Sequence, residues 1–387
     1  MNKMNVPFVD LKQQYRNHKD DIDAAIHAVI ENTSFIKGPQ VGEFERRFGA
    51  SLGIDHVVGC ANGTDAIFIA LKALGVGPGD EVITVCNTWI STSETISLTG
   101  AKPVFVDIDP DTYLLDVSEV ESKITSSTKA IIPVHLYGRA APMLEIMELA
   151  RRHKLKVIED CAQAHYASDG GRYVGTFGDI ATFSFFPGKN LGAYGDAGAI
   201  VTASNDLAET VRMLANHGGL KKNVHRIEGL NSRLDTLQAA VLSVKLDHIL
   251  RWTSQRQEAA RLYTTLLREK APEVAIPTLA ESNIQGESSH VFHLYVIRSD
   301  DRDNLKSYLE KNGIATGIHY PSILPLTDAY SYLNLTTEDF PVAASYQSQI
   351  LSLPIFPEIT KEQIEYVVAN ISDFYANQYD RQRSGAR

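Results

Sequence analysis

FSFFPGKNLGAYGDAGAIV, residues 183–201, holds a single lysine, Lys189, among Phe183, Phe185, Phe186, Leu191 and Tyr194, with Asp196 as the only other charged residue. Burying an ammonium is costly unless it is paired or made neutral. The runs on either side, IATFSFF (180–186) and GAIVT (198–202), read as buried strands. The turn between them therefore presents an amine in a dry setting.

Outward from this stretch the same grammar repeats. HVVGC (56–60), EVITVC (81–86), PVFVDID (103–109), KAIIPVHL (129–136) and KVIED (156–160) are further strand-like runs. Between several of them lie stretches such as GTDAIFIALKALG and PMLEIMELARRHK, whose apolar residues recur at helical spacing. Runs nearly continuous in Val, Ile and Phe are buried on both faces, which predicts an α/β fold with a mostly parallel central sheet and helices on both faces. SRLDTLQAAVLSVKLDHILRW (232–252) puts Leu234, Leu237, Val241 and Val244 on one stripe of a long bridging helix. Beyond it, a helix, the strand HVFHLYVIRS (290–299), a helix over 301–312 and a closing helix near 361–375 lack the β-α alternation and predict a smaller α+β lobe. The expected division is a large domain over 15–252 and a small one over 253–387, with residues 1–14 packing on the latter and DRQRSGAR (380–387) as a disordered tail.

Across 387 residues, 37 basic side chains face 47 acidic ones, a net charge of −10 that argues against a general nucleic-acid binder. No apolar run has signal-peptide or membrane-span length, so the chain reads as cytoplasmic with no membrane partner. Cys60, Cys86 and Cys161 are scattered and without CxxC spacing, so no disulfide framework or metal site is indicated. His290 and His293, three apart on an expected strand, face opposite sides and do not chelate one metal.

Three segments carry chemistry if they meet at the carboxyl ends of the strands, where open α/β sheets bind ligands. In CANGTDAIFIAL a strand ends and a helix begins at Gly63-Thr64, offering free amides and a hydroxyl to an anion, although the same residues read as a plain helix cap. KVIEDCAQAH closes a buried strand with Asp160 and follows with Gln163. The opening stretch supplies Ser184 and Lys189. Phe183 stands where a Walker loop needs glycine, and Gly188, Gly192 and Gly195 lack GxGxxG spacing, so neither nucleotide motif applies. An anion cradle, a buried carboxylate and an isolated lysine together suit pyridoxal 5'-phosphate, which needs a phosphate site, a partner for its pyridine nitrogen and a Schiff-base amine.

The order of FVDL, GPQVGEFE, CANGTDA, GPGDEVI, GAKPVFVDIDPDTY, HLYG, IEDCAQAH, FSFFPGKNLGAYGDAGAI, NSRLDTLQAA and IHYP over residues 7–376 resembles the DegT/DnrJ/EryC1/StrS sugar aminotransferases. The resemblance implies the aspartate aminotransferase architecture (fold type I) and a homodimer with shared active sites. It implies roles by position: Lys189 as Schiff-base lysine, Asp160 on the pyridine nitrogen and Gln163 near the phenolic oxygen. Gly63, Thr64 and Ser184 match phosphate contacts, and Trp89 matches the ring-stacking aromatic. Asn231 reaches the phosphate from the partner subunit, with Arg233 beside it facing the sugar. His319 and Tyr320 approach substrate from the small lobe. Cys161 stands where alanine is common, and Tyr166 stands where a small residue follows, so that Tyr166 is expected to narrow the sugar pocket. The implied reaction is transfer of nitrogen from L-glutamate to a nucleotide-diphosphate-linked 3-keto sugar, in deoxyamino-sugar or surface-polysaccharide (lipopolysaccharide, O-antigen) biosynthesis. Amination of a 4-keto sugar is the alternative, and a cofactor-binding regulator without turnover is a further one. The dehydratase branch, which carries histidine in place of the lysine, is disfavoured by Lys189.

Overall fold

The β-rich runs form strands β1 (His56–Cys60), β2 (Glu81–Val85), β3 (Lys102–Val106), β4 (Thr128–Ile132), β5 (Lys156–Asp160), β6 (Ile180–Ser184) and β7 (Gly198–Thr202), in a computed structural model that describes residues 3–278 and 290–385. They make one seven-stranded sheet in the order β1-β7-β6-β5-β4-β2-β3. The pairs β2–β3, β2–β4, β4–β5 and β5–β6 are parallel, and β7 runs antiparallel to β1 and β6. β4 stops at Ile132 because Pro133 has no N–H to continue the ladder.

Successive strand residues enter opposite cores, as the two-residue side-chain period requires. Val57, Ala181, Phe183, Ala199 and Val201 pack with helices Pro39–Leu52 and Thr236–Leu246. Val58, Ala130, Ile132, Ile158, Ile180 and Ile200 pack with helices Gly63–Ala73 and Asn205–Leu214. Each such Ile or Val contributes about 1.5–3 kcal/mol on burial, so both faces must be covered.

The long helix expected over 232–252 is instead two. Leu234 lies outside either helix and across Gly59, where a Cβ would come 2.7 Å from the Leu234 Cβ. The first helix starts at Thr236 after Asp235 and ends at Leu246, burying Ala239, Ala240, Val241, Leu242 and Leu246, while Val244 is half-buried. The second, Ile249–Lys270, passes through the 252/253 boundary without a break. Its Ile249 and Trp252 belong to a core of the large sheet, and its Ala259, Ala260, Tyr263 and Leu267 belong to the core of the small lobe.

That lobe contains β8 (Tyr295–Arg298) paired antiparallel with β9 (Ile350–Leu353), helix Arg302–Lys311 and the closing helix Lys361–Gly385. Val6 joins the same core and bridges Ile314. Residues 290–294 are not strand: Val291 N–H bonds the Gly138 carbonyl at 2.8 Å and Leu294 N–H the Tyr137 carbonyl at 3.1 Å, so the segment is pinned to a loop. The closing helix runs past the expected end near 375 and through most of DRQRSGAR, where no proline or glycine interrupts it before Gly385.

Candidate active site

β5 delivers Asp160 and Glu159 to opposite sides of the sheet. Asp160, 4% exposed, accepts hydrogen bonds from the Thr92 hydroxyl at 2.9 Å and the Ala162 N–H at 3.1 Å. Glu159, fully buried, accepts from the N–H groups of Gly175, Phe177 and Gly178 and faces the His135 Nε2 at 3.2 Å. His135 Nδ1 in turn accepts from the Ala141 N–H at 2.9 Å. His135, Glu159 and Cys161 lie close enough to suggest a metal cluster, but the imidazole and carboxylate are engaged with backbone, and burial pushes the Cys161 thiol well up. The group is an anchor that holds the strand carrying Asp160.

Gln163 lies in the loop after β5. Its Oε1 accepts from the Tyr137 N–H at 2.7 Å and its Nε2 donates to the Tyr320 hydroxyl at 3.0 Å, which fixes the orientation of the amide. Tyr320 lies 5.8 Å from the Trp89 ring, centroid to centroid, and Trp89 is 58% exposed. His319 bonds Ser352 through Nδ1 at 2.8 Å and stacks on Phe8, while the Tyr137 hydroxyl donates to its carbonyl.

At the end of β6 the chain turns, and Lys189 N–H closes on the Phe186 carbonyl at 2.8 Å. The Lys189 side chain is half-buried, and among the described residues no hydrogen bond or ion pair engages its ammonium. Burial pulls the amine down to about 8, against the opposing pull of the Asp160 charge. Three imidazoles respond to the Lys189 charge as well as to their own burial: His165 is lowered to about 3, His319 to about 4 and His293 well below its ordinary value. These rings are therefore uncharged and add no positive charge near Lys189. His293, held by Asn190 at 3.0 Å, was misread as a strand residue, and His165 was visible only as the last letter of AQAH.

The start of helix Gly63–Ala73 lies against the end of β6. Asn62 caps it by accepting from the Asp65 N–H at 2.7 Å. A Cβ on Gly63 would come 2.7 Å from the Ser184 Cβ, so only glycine permits this approach. The Thr64 hydroxyl pairs with that of Ser91 at 2.7 Å. The first helical amides, Thr64 and Ser184 thus form a small, polar cradle beside the Lys189 turn.

Three expected residues are not part of this group. Tyr166 packs edge-on against Phe48 and Tyr173 and bonds the Ser51 hydroxyl at 2.6 Å. It fills the contact with helix Pro39–Leu52, which corrects its expected placement in the sugar pocket. Asn231 is exposed, and its segment bridges Asn216. Arg233 is half-buried with its Nε unbonded among the described residues, close enough to Lys37 for its charge to add to the burial that lowers that ammonium. Within one chain, among the described residues, neither is hydrogen-bonded or ion-paired to the Lys189 group. Thr92 and Ser91, which the sequence reading passed over, sit within it, and the hydroxyl-rich NTWISTS was their only signal.

The comparisons with known proteins agree with this geometry. Residues 16–372 match the DegT/DnrJ/EryC1/StrS aminotransferase family. A protein of Geobacillus stearothermophilus named "Pleiotropic regulatory protein" is 47% identical over 372 residues, 96% of this chain and 99% of its own length. The dTDP-3-amino-3,4,6-trideoxy-alpha-D-glucose transaminase of Streptomyces venezuelae is 42% identical over 95% of this chain and 96% of its own. The crystal structure of S. venezuelae DesV in complex with a ketimine intermediate superposes with a TM-score of 0.91 at 42% identity, covering 96% of this chain and 98% of that one. Fold, family match and relatives coincide over nearly the whole length, and the chain belongs to the DegT/DnrJ/EryC1/StrS aminotransferase family.

Proposed function

We propose that the protein is a pyridoxal-phosphate-dependent aminotransferase that moves an amino group from L-glutamate to the C3 carbonyl of a nucleotide-diphosphate-linked keto hexose. The observation that carries the reading is the Lys189 amine: half-buried, without a partner among the described residues, and held near neutrality beside Asp160. The residues present fit the cofactor. The Gly63–Thr64 amides with Thr64 and Ser184 suit its phosphate, buried Asp160 suits a protonated ring nitrogen, and the exposed Trp89 face suits its ring.

When bound, pyridoxal phosphate supplies an electron sink for the pair released as an amino acid loses its α-proton. Asp160, oriented by Thr92, would keep the ring nitrogen protonated. Gln163 has one amide hydrogen committed to Tyr320 and one left for the phenolic oxygen. Lys189, whose amine is lowered to about 8 and so offers a usable neutral fraction near physiological pH, would hold the cofactor's aldehyde carbon and move the proton during transfer.

The two-lobed division at about residue 252 and a cytoplasmic two-fold dimer belong to the same reading. Phe35, Ile36, Leu220, Val224 and Ile227 leave apolar surface exposed near the segments that carry Lys37 and Asn231. In the dimer, Asn231 and Arg233 complete the partner's site, and the Arg233 fork meets a diphosphate or carboxylate on the sugar nucleotide. His319 and Tyr320 select the hexose. The name of the Streptomyces relative supports C3 over C4.

The name of the Geobacillus relative favours a second reading, a cofactor-bound regulator without turnover. One spectrum separates the two. The purified protein with pyridoxal phosphate is expected to absorb in the visible, and that band is expected to bleach on adding L-glutamate. A band unchanged by any amino acid donor would support the regulator.

A further inference from the structure

Helix Thr236–Leu246 lies beside the turn that carries Lys189, and two of its side chains grip that turn's backbone. Gln238 accepts from the Tyr194 N–H at 2.8 Å and donates to the Tyr194 carbonyl at 3.4 Å. Seven residues on, on the same face, Lys245 donates to the Gly192 carbonyl at 2.6 Å and lies 4.3 Å from the centre of the Tyr194 ring. Lys245 is 1% exposed, and among the described residues no carboxylate forms an ion pair with it. An apolar side chain would fill this position without the desolvation cost of an ammonium, so the charge calls for a specific explanation.

The turn shows what Lys245 holds. Ala193 N–H bonds the Phe185 carbonyl at 2.7 Å and Lys189 N–H bonds the Phe186 carbonyl at 2.8 Å, closing residues 185–193 on themselves. A Cβ on Gly192 would come 2.3 Å from the Pro187 carbonyl oxygen and 3.0 Å from that of Phe186, so the chain doubles back with no spare room. The Gly192 carbonyl is therefore rigidly coupled to the peptide that places Lys189.

We infer that Lys245 is a positioning residue for Lys189: its bond to the Gly192 carbonyl locks the 186–193 turn and so aims the Lys189 amine at the Asp160 side of the site. The inference rests on the reading of Lys189 as the reacting amine. The surrounding charges are compatible with it. Burial lowers the Lys245 ammonium to about 7 against the pull of Glu358 in the small lobe, and His18 and Tyr194 are the other titratable groups near it. In either protonation state the Nζ keeps a hydrogen for Gly192.

The test compares Lys245→Met and Gln238→Met with the native protein, each at full length and loaded with pyridoxal phosphate. Hydrogen exchange is followed by mass spectrometry, together with the kinetics of amine transfer from L-glutamate. Expected in Lys245→Met is at least tenfold faster exchange confined to residues 186–195, with helices 63–73 and 249–270 unchanged, and a tenfold or greater fall in kcat with KM for L-glutamate within twofold. Gln238→Met is expected to show the same pattern more weakly, and it decides the matter if Lys245→Met does not fold. Unchanged exchange in the turn, a rise spread over the whole chain, or a loosened turn with native kcat would each overturn the inference. Borohydride trapping followed by peptide mapping reports separately on Lys189: label on another lysine would refute the functional reading, whereas the exchange data judge the clamp alone.

Discussion

Gln163 donates its side-chain amide to the Tyr320 hydroxyl at 3.0 Å, while its carbonyl oxygen accepts from the Tyr137 N–H at 2.7 Å. One amide thus ties the loop after β5 to the IHYP segment that approaches from the small lobe. Burial, with the Asp160 charge adding to it, holds the Tyr320 phenol well above its ordinary range, so it remains a neutral acceptor.

Tyr320→Phe removes that acceptor and leaves the ring packed near Trp89. The lost bond is worth about 0.5–1.5 kcal/mol, which corresponds to a change of about two- to tenfold. The expected result is a several-fold rise in KM for the keto sugar with a smaller fall in kcat, read by steady-state kinetics. Native values for both constants would remove the bond from the substrate-binding side of the account.

Covalent capture of pyridoxal phosphate by the apoprotein should follow the ionisation of Lys189. Only the neutral amine attacks an aldehyde, and burial lowers this ammonium to about 8. Capture at Lys189, trapped with borohydride and quantified by mass spectrometry, should therefore rise with pH to a midpoint near 8. Asp160 opposes the shift, so Asp160→Asn should move the midpoint lower. A midpoint near 10 in the native protein would mean that the amine is solvated.

Asp160→Asn should keep the fold, because the amide oxygen can still accept from the Ala162 N–H while the amide NH2, standing where Oδ2 was, can donate to the Thr92 hydroxyl, which is able to accept. It should lower kcat on the order of a hundredfold or more, the scale of losing a preorganised charge contact in a closed site. Circular dichroism checks the fold and single-turnover kinetics the rate. A native rate would take Asp160 out of the reaction.

Much of this was readable in the chain itself. β1, β5 and β7 occupy the residues their Val- and Ile-rich runs indicate, because strands buried on both faces leave a strong local signal. Lys189 was conspicuous for the same reason, as one cation in an apolar stretch. Tyr166 was not readable, since its direction depends on Ser51, 115 residues away, and on a backbone φ of 66°. The break between Leu246 and Ile249 was hidden because helical periodicity continues through it, and Leu234, packed over Gly59, lies before the first helix. The neutral imidazoles around Lys189 come from three separate segments, and no local pattern joins His165, His293 and His319.

Shared active sites predict complementation. Lys189→Ala and an Asn231→Ala/Arg233→Ala double variant are each expected to lose nearly all activity alone. Mixed under conditions that exchange subunits, they should recover up to about a quarter of native activity, because a hybrid dimer has one site built from two native halves. Light scattering checks the dimer, and no recovery after proven exchange would show that each chain completes its own site.

The central claim is tested most directly by following nitrogen. The enzyme is incubated with pyridoxal phosphate, 15N-labelled L-glutamate and, separately, 3-keto and 4-keto nucleotide-linked hexoses, and the sugar products are examined by NMR. The account predicts label on C3 of a 3-keto substrate with the native protein and none with Lys189→Ala. Label appearing only on C4, or no transfer to any sugar while the cofactor stays bound, would contradict it.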